Sequence, residues 1–312
     1  MKFDGTSRGM TAGGAPPEPA VSIVLAVRNG AGTLRHALHS IIWQTMPDWE
    51  LLVVDDGSDD ATESIVYGFE DPRIRLFIDG QRLGLAARLN QGIGQARGHY
   101  IARMDADDVA LPDRLARQVA FLEEHPTIDV VGGHALIVNA RLELRGVRVL
   151  PSSHNRIVKR PLGPVALMHP TICGKRSWFR QHPYDARLLG SEDQELFIRA
   201  APVSRYANLP VPVLAYREGD LRFTKQWRNR TYLTQGLVRL ATRRGALRSL
   251  IRPAASIFAK AIVESAAIML GVGDHIARRR RIDPTPDQSA AWQHHRHQLD
   301  ADPDDRGERP ST

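Results

Sequence analysis

Cysteine is almost absent: Cys173 is the only one in 312 residues. An intramolecular disulfide framework and a cysteine-rich zinc site are excluded, and the usage fits a reducing compartment. Long apolar runs are missing as well. A spanning helix needs about 18 or more uninterrupted apolar residues, and the nearest candidate, Ala254 to Val272, contains Lys260 and Glu264. Residues 1–20 lack the apolar segment of a secretory signal; Gly, Pro and Ala dominate there, which predicts a flexible lead-in. No G-x-G-x-x-G follows the first apolar run, so a nicotinamide-dependent oxidoreductase has little support. Acidic residues are absent between Leu221 and Arg252.

What is present has globular proportions. Hydrophobic residues make up 42%, charged residues 25%, and the formal net charge is +7. The length suits one large α/β domain or two modest ones. Val21 to Val27 is apolar and β-branched, the pattern of a strand buried on both faces. Leu34, Ala37, Leu38, Ile41 and Ile42 follow at helical spacing, with Thr33 as the expected cap. Trp49 to Asp55 is the second strand. The turn Asp56-Gly57-Ser58-Asp59 leads into a helix through Phe69, with Ser58 or Asp59 as its cap. Ile74 to Ile78 gives a third strand, Gly84 to Arg97 a helix, and Tyr100 to Met104 a fourth strand. Pro112 opens a further helix in its preferred first turn, and a new strand starts at Asp129. Such alternation predicts a mainly parallel sheet flanked by helices. Ligands of such sheets bind beyond the carboxyl ends of the strands.

Two of those ends are acidic. Asp55-Asp56 closes the second strand, and Asp105-Ala106-Asp107-Asp108 places three carboxylates within four residues after the fourth. Crowded carboxylates repel one another and raise each other's pKa. A divalent cation relieves that repulsion, and Mg²⁺ and Mn²⁺ take oxygen ligands that they share with substrate phosphates. The plain alternative for each cluster is a solvated or helix-capping turn. Gly57 supplies a positive φ and lets a ligand approach the backbone.

Four segments in fixed order then carry a resemblance. Ser22 to Asn29, Ser40-Ile-Ile-Trp-Gln-Thr45, Val54-Asp-Asp-Gly-Ser-Asp59, and Met104 to Asp108 with Leu111-Pro-Asp-Arg-Leu115 resemble a family 2 glycosyltransferase over residues 21 to about 220. The resemblance implies a GT-A fold, a nucleoside-diphosphate-sugar donor and inverting transfer to a hydroxyl acceptor. It places Val27, Arg28 and Asn29 along the nucleotide pocket and Asp56 on the nucleobase. Asp105, Ala106 and Asp107 form the Asp-x-Asp that meets ribose and the metal-bound diphosphate, with Asp107 or Asp108 as direct ligand of Mg²⁺ or Mn²⁺. His169-Pro-Thr171 resembles the segment beneath the acceptor, where His169 otherwise reads as a structural histidine. Glu192 is placed on the acceptor side, and Asp193, in Gly190-Ser-Glu192-Asp193, is the catalytic base. Their plain alternative is the solvated start of a helix Gln194 to Ala200. Cys173 reads as a packed thiol, and Trp178 as either core or a sugar-stacking ring. The implied setting is cell-surface polysaccharide or lipid-linked glycan assembly.

The remaining chain is expected to differ from residues 21–220. Nine lysines or arginines lie between Leu221 and Arg252, and Leu233, Leu237, Leu240 and Ala241 share a helical face. The apolar run from Ala254 and the cluster Arg278 to Arg281 follow. Residues 221–281 thus read as a basic helical extension, either seated on an anionic membrane surface at the inner face of the cytoplasmic membrane or packed on the preceding domain. Nothing identifies a nucleic-acid partner. Residues 282–312 hold seven acids and several prolines and are expected to be disordered. Two other readings stay open at this stage. One is a sugar-phosphate nucleotidyltransferase, for which Arg28-Asn-Gly-Ala-Gly32 is a partial loop match. The other is a non-catalytic sugar-nucleotide-binding protein.

Overall fold

The computed structural model describes residues 18–159, 164–218, 223–243 and 281–301, with scattered helical positions between 255 and 266. The lead-in expected over 1–20 lies outside the described residues up to position 17. Most of 244–280, and 302–312, lie outside them too.

The first half of the chain forms as the apolar spacing requires. Strands β1 (Val21–Val27), β2 (Trp49–Asp55), β3 (Ile74–Phe77) and β4 (Tyr100–Arg103) alternate with helices α1 (Leu34–Ile42), α2 (Thr62–Tyr67) and α3 (Leu85–Gln95). All seven residues of β2 are buried, which is why the run is apolar rather than alternating. The four strands pair in parallel, in the order β3–β2–β1–β4. The chain therefore adds β2 and β3 on one side of β1 and then crosses to place β4 on the other. That reversal opens a crevice beyond the carboxyl ends of β1 and β4. Helix α3 packs closely on one face of the sheet: a Cβ on Gly92 would come within 2.5 Å of Val24 Cγ1.

Next come β5 (Val109–Ala110), α4 (Arg114–Glu124), β6 (Val130–Val138), β7 (Leu144–Arg148) and a short helix α5 (His154–Ile157). A 3₁₀ turn (His169–Thr171), β8 (Cys173–Lys175), α6 (Arg176–Gln181), α7 (Glu192–Ala200) and β9 (Tyr206–Arg217) follow. The nine-stranded sheet continues from β4 through β8, β6 and β9 to β5, with β7 on β6. This half is mixed. β8 runs antiparallel to β4 and β6, β7 antiparallel to β6, and β6 parallel to β9. The β6–β7 link is too short for the crossover that parallel pairing needs. Several local expectations shift. Thr33 precedes α1 without capping it; its hydroxyl donates instead to the Ala106 carbonyl at 3.0 Å. Pro112 lies ahead of α4, which starts at Arg114, and α7 starts at Glu192, two residues earlier than its apolar spacing suggests.

The clearest correction concerns the stretch expected to be disordered. Pro286–Asp300 is a helix, opened by a capping box between Thr285 and Gln288. Trp292 and Leu299 are buried among Val109, Leu136, Val138, Leu142, Val147 and Ala215. The Trp292 indole N–H donates to the Leu142 carbonyl at 2.9 Å. Few apolar residues mark this segment, so its composition reads as solvated; a groove across four strands is what orders it. Upstream, α8 (Phe223–Arg243) buries Leu233, Leu237, Leu240 and Ala241, the face read from the sequence, and packs that side on the domain next to α7.

Candidate active site

The crevice between the two halves is a cleft of about 920 Å³. One wall is built by the ends of β1, β2 and β4. The turn after β1 is fastened to the turn after β2: Asn29 N–H donates to Ser58 Oγ, Asp59 N–H to Asn29 Oδ1, and Ala31 N–H to Asp60 Oδ2. Asn29 adopts φ +52° to make both contacts. Asp55 holds the second turn by accepting from the Ser58 backbone and hydroxyl, and Gly57 takes φ +69° there, where an L side chain is strained. Asp56 then projects to the cleft. One of its oxygens accepts from Leu83 N–H, Gly84 N–H and Arg88 Nε at 2.7, 2.9 and 3.1 Å. Arg88 is fully buried and also binds Asp79. It was not singled out in the sequence, although a charge beside Leu85 and Leu89 on an otherwise apolar face is the signal that betrays it.

The acidic turn after β4 supplies the floor. Asp105, Asp107 and Asp108 bring carboxylate oxygens within 4.8 Å of one another. Asp105 is held by both terminal nitrogens of buried Arg103. Asp108 is fully buried; one oxygen accepts from Arg217 N–H at 2.9 Å and the other has no hydrogen-bond partner among the described residues. Burial, and then the neighbouring carboxylates, push the enclosed Asp108 well above the ordinary carboxylate range; Asp107, at the exposed edge of the turn, is raised by partial desolvation and by Asp105. An all-oxygen donor set with one orphaned buried oxygen fits a hard divalent cation such as Mg²⁺ or Mn²⁺.

The opposite wall comes from the 3₁₀ turn and α7. His169 Nε2 lies 2.8 Å from the Tyr184 hydroxyl, and burial, with Arg103 nearby, keeps the imidazole well below its usual pKa. Donor atoms of His169, Glu192 and Asp193 lie within 4.8 Å of one another. Ser191, at φ +58°, turns the chain into α7. Burial and Asp193 push Glu192 up to about 7, and burial raises Asp193 against the helix N–H groups.

Of the residues singled out in the sequence, Arg28, Asp56, Asp105, Asp107, His169, Glu192 and Asp193 line this one cleft. Val27 and Asn29 lie behind it as supports, Ala106 accepts from Thr33, and Asp108 sits beneath the floor. Trp178 belongs to the core, donating to Ser204 Oγ, and Cys173 is a buried thiol that burial pushes up to about 12. Residues 22–183, just over half of the chain, match the profile described as Glycosyl transferase family 2. The chain belongs to this family. It is 40% identical over 137 residues to the putative glycosyltransferase EpsE of Bacillus subtilis, covering 43% of this chain and 49% of that one. It is 30% identical over 139 residues to the UDP-Glc:alpha-D-GlcNAc-diphosphoundecaprenol beta-1,3-glucosyltransferase WfgD of Escherichia coli, covering 45% and 55%. These matches span about half of each relative. Among solved structures, the mannosyltransferase PcManGT from Pyrobaculum calidifontis, in complex with GDP-Man and Mn²⁺, aligns with a TM-score of 0.56 over 91% of this chain and 86% of that one. Their sequence identity is 20%, so this likeness shows the GT-A fold alone.

Proposed function

We propose that this family 2 chain is an inverting glycosyltransferase that moves a sugar from a nucleoside-diphosphate sugar to a hydroxyl of a glycan or lipid-linked acceptor in polysaccharide assembly. The carrying observation is that acids from three distant segments, ending in Asp56, Asp105–Asp107 and Glu192–Asp193, face one cleft. The names of the relatives support a UDP- or GDP-linked donor. Asp193 takes the proton of the acceptor hydroxyl while its oxygen attacks the anomeric carbon. The bond from that carbon to the diphosphate breaks on the opposite face, so configuration inverts without an enzyme-bound sugar. Its raised pKa makes Asp193 a better proton acceptor than an exposed aspartate. Asp107 and Asp108 are the residues to hold Mg²⁺ or Mn²⁺, which when bound neutralises charge on the departing diphosphate. Asp105, clamped by Arg103, and Asp56, clamped by Arg88, keep the donor wall rigid. Neutral His169 and Tyr184 back the acceptor side.

The test is Asp193→Asn. Nucleoside diphosphate release from a panel of sugar nucleotides with Mn²⁺ and acceptor glycans is expected to fall by about 10² to 10⁴-fold. Calorimetric affinity for the nucleoside diphosphate should stay unchanged. Intact turnover with intact binding overturns the assignment.

A further inference from the structure

A second cavity lies outside the cleft. It measures about 680 Å³, within the range of small-molecule sites. Strand β6 borders it through His134, the link after β7 through Val149 and Ser152, and the α5 region through Asn155, Arg156 and Lys159. His134 is 8% exposed although it lines the cavity. It stands at an irregularity of the sheet: Gly133 pairs with Leu209 on β9, whereas His134 pairs with Pro212. Such a break in register re-aims a side chain. Its Nδ1 accepts from Leu150 N–H at 3.3 Å, and burial holds the imidazole below its usual pKa. That hydrogen bond assigns the proton of the neutral ring to Nε2, which is left as a donor. Arg156 and Lys159 are exposed, and neither side chain has a partner among the described residues. No described carboxylate lines the cavity. Val149, 49% exposed, supplies an apolar wall. Cavity and cleft adjoin along the chain, since Arg148 lines the cleft and Val149 the cavity. Asn208 fastens them together, donating to the carbonyls of Pro151 at 2.8 Å and Ala166 at 2.9 Å.

We propose that this cavity is a subsite for an anionic saccharide unit, a sugar that bears a carboxylate or a phosphate. A solitary surface lysine or arginine is ordinary. Two unpaired cations lining one cavity, with a buried neutral donor beside them and no acid, are complementary to a charged sugar. The planar guanidinium of Arg156 matches two oxygens of a carboxylate or phosphate, and Lys159 adds a point charge. Ser152, Asn155 and His134 offer hydrogen bonds to ring hydroxyls, and Val149 meets the C–H face of the ring. On the proposed transfer activity, the position beside Arg148 suits a unit of the acceptor glycan other than the one that reacts. The acceptor is then selected by its charge as well as by its reacting hydroxyl.

The experiment uses the full chain and its double variant Arg156→Gln/Lys159→Gln, both side chains being exposed. Each is titrated by calorimetry with glucuronic acid, glucose 6-phosphate, glucose and inorganic phosphate. The wild type is expected to bind one of the two charged sugars at least about tenfold more tightly than glucose or inorganic phosphate. The variant is expected to bind that sugar at least about tenfold more weakly than the wild type. Preference for glucuronic acid assigns the charge to a carboxylate, preference for glucose 6-phosphate to a phosphate. Failure of the wild type to bind either charged sugar overturns the proposal, as does equal affinity for glucose or for inorganic phosphate. Equal binding by the variant overturns it too, because a sugar held in the cleft survives the double substitution. UDP binding with Mn²⁺, measured on both proteins and expected to be the same in both, reports on the cleft separately. Failure of the transfer reading is thereby distinguishable from failure of the subsite.

Discussion

Glu192 and Asp193 are adjacent in sequence and face one solvent-poor wall. Glu192 is 6% exposed, and its pKa is moved from 4.5 to about 7 by burial first and by the Asp193 charge second. A carboxyl whose folded pKa is raised favours the fold while it is protonated. That contribution is fully present below pH 4.5 and is lost as pH rises through about 7. The neutral mimic Glu192→Gln is therefore expected to match wild-type thermal stability near pH 4.5, to exceed it increasingly up to about pH 7, and to keep a constant lead above that. Melting temperatures of the two proteins across that range check this, and a difference that shrinks with rising pH counts against it. Asp108 poses a related question of charge. Its unpartnered oxygen predicts that Asp108→Asn weakens Mn²⁺ binding by at least about tenfold, read by calorimetry without donor, through loss of a charged ligand. Unchanged Mn²⁺ affinity would assign the metal to Asp107 and its partners instead.

At the scale of elements, the helix Pro286–Asp300 deserves a role because it braces the side of the cleft that carries the acidic floor. Trp292 packs against Val109, the residue after Asp108, and against Ala215, two residues before Arg217. Ahead of the helix, Ile282 exchanges two 2.9 Å hydrogen bonds with Val147, and Arg281 grips Glu218, which in turn binds Arg148 at the cleft. Trp292→Ala removes a buried indole and leaves the Leu142 carbonyl without its donor. The expected cost is about 3 kcal/mol or more in urea unfolding. A change under about 0.5 kcal/mol, the range of ordinary surface substitutions, would mean that the helix is not seated as described. The first half of the sheet was legible because β1 and β2 are buried, mainly apolar runs and each helix has one apolar face. This helix was not, because two large apolar residues in fifteen leave no periodic signal.

Across the whole molecule, the two acidic walls come from the strand ends of the first half and from the 3₁₀ turn and α7 of the second, so arginines or a bound ligand must offset their charges. Arg28, Arg82, Arg103 and Arg148 share the cleft with its five carboxylates. A nucleoside diphosphate with Mn²⁺ should therefore stabilise the entire fold more than the two do separately. At 100 times its dissociation constant a ligand adds about 2.7 kcal/mol, expected as a rise of several degrees in thermal unfolding. Additive shifts from nucleotide and metal would argue that they bind apart. The sequence by itself determined the strand-helix order, the acidic strand ends and the family, because buried runs, helical spacing and short motifs are local patterns. It also singled out Asp193 as the base proposed here, through its place after the other motifs. Only the tertiary structure decided that Asp105 is clamped by Arg103 while one Asp108 oxygen has no partner among the described residues, that Trp178 is core, and that α8 lies against the domain. The pairs that join Arg148 to Glu218 and Glu218 to Arg281 span 70 and 63 residues. A charge carries no local mark of its partner across such distances; the pairing exists only once the sheet has brought the strands together.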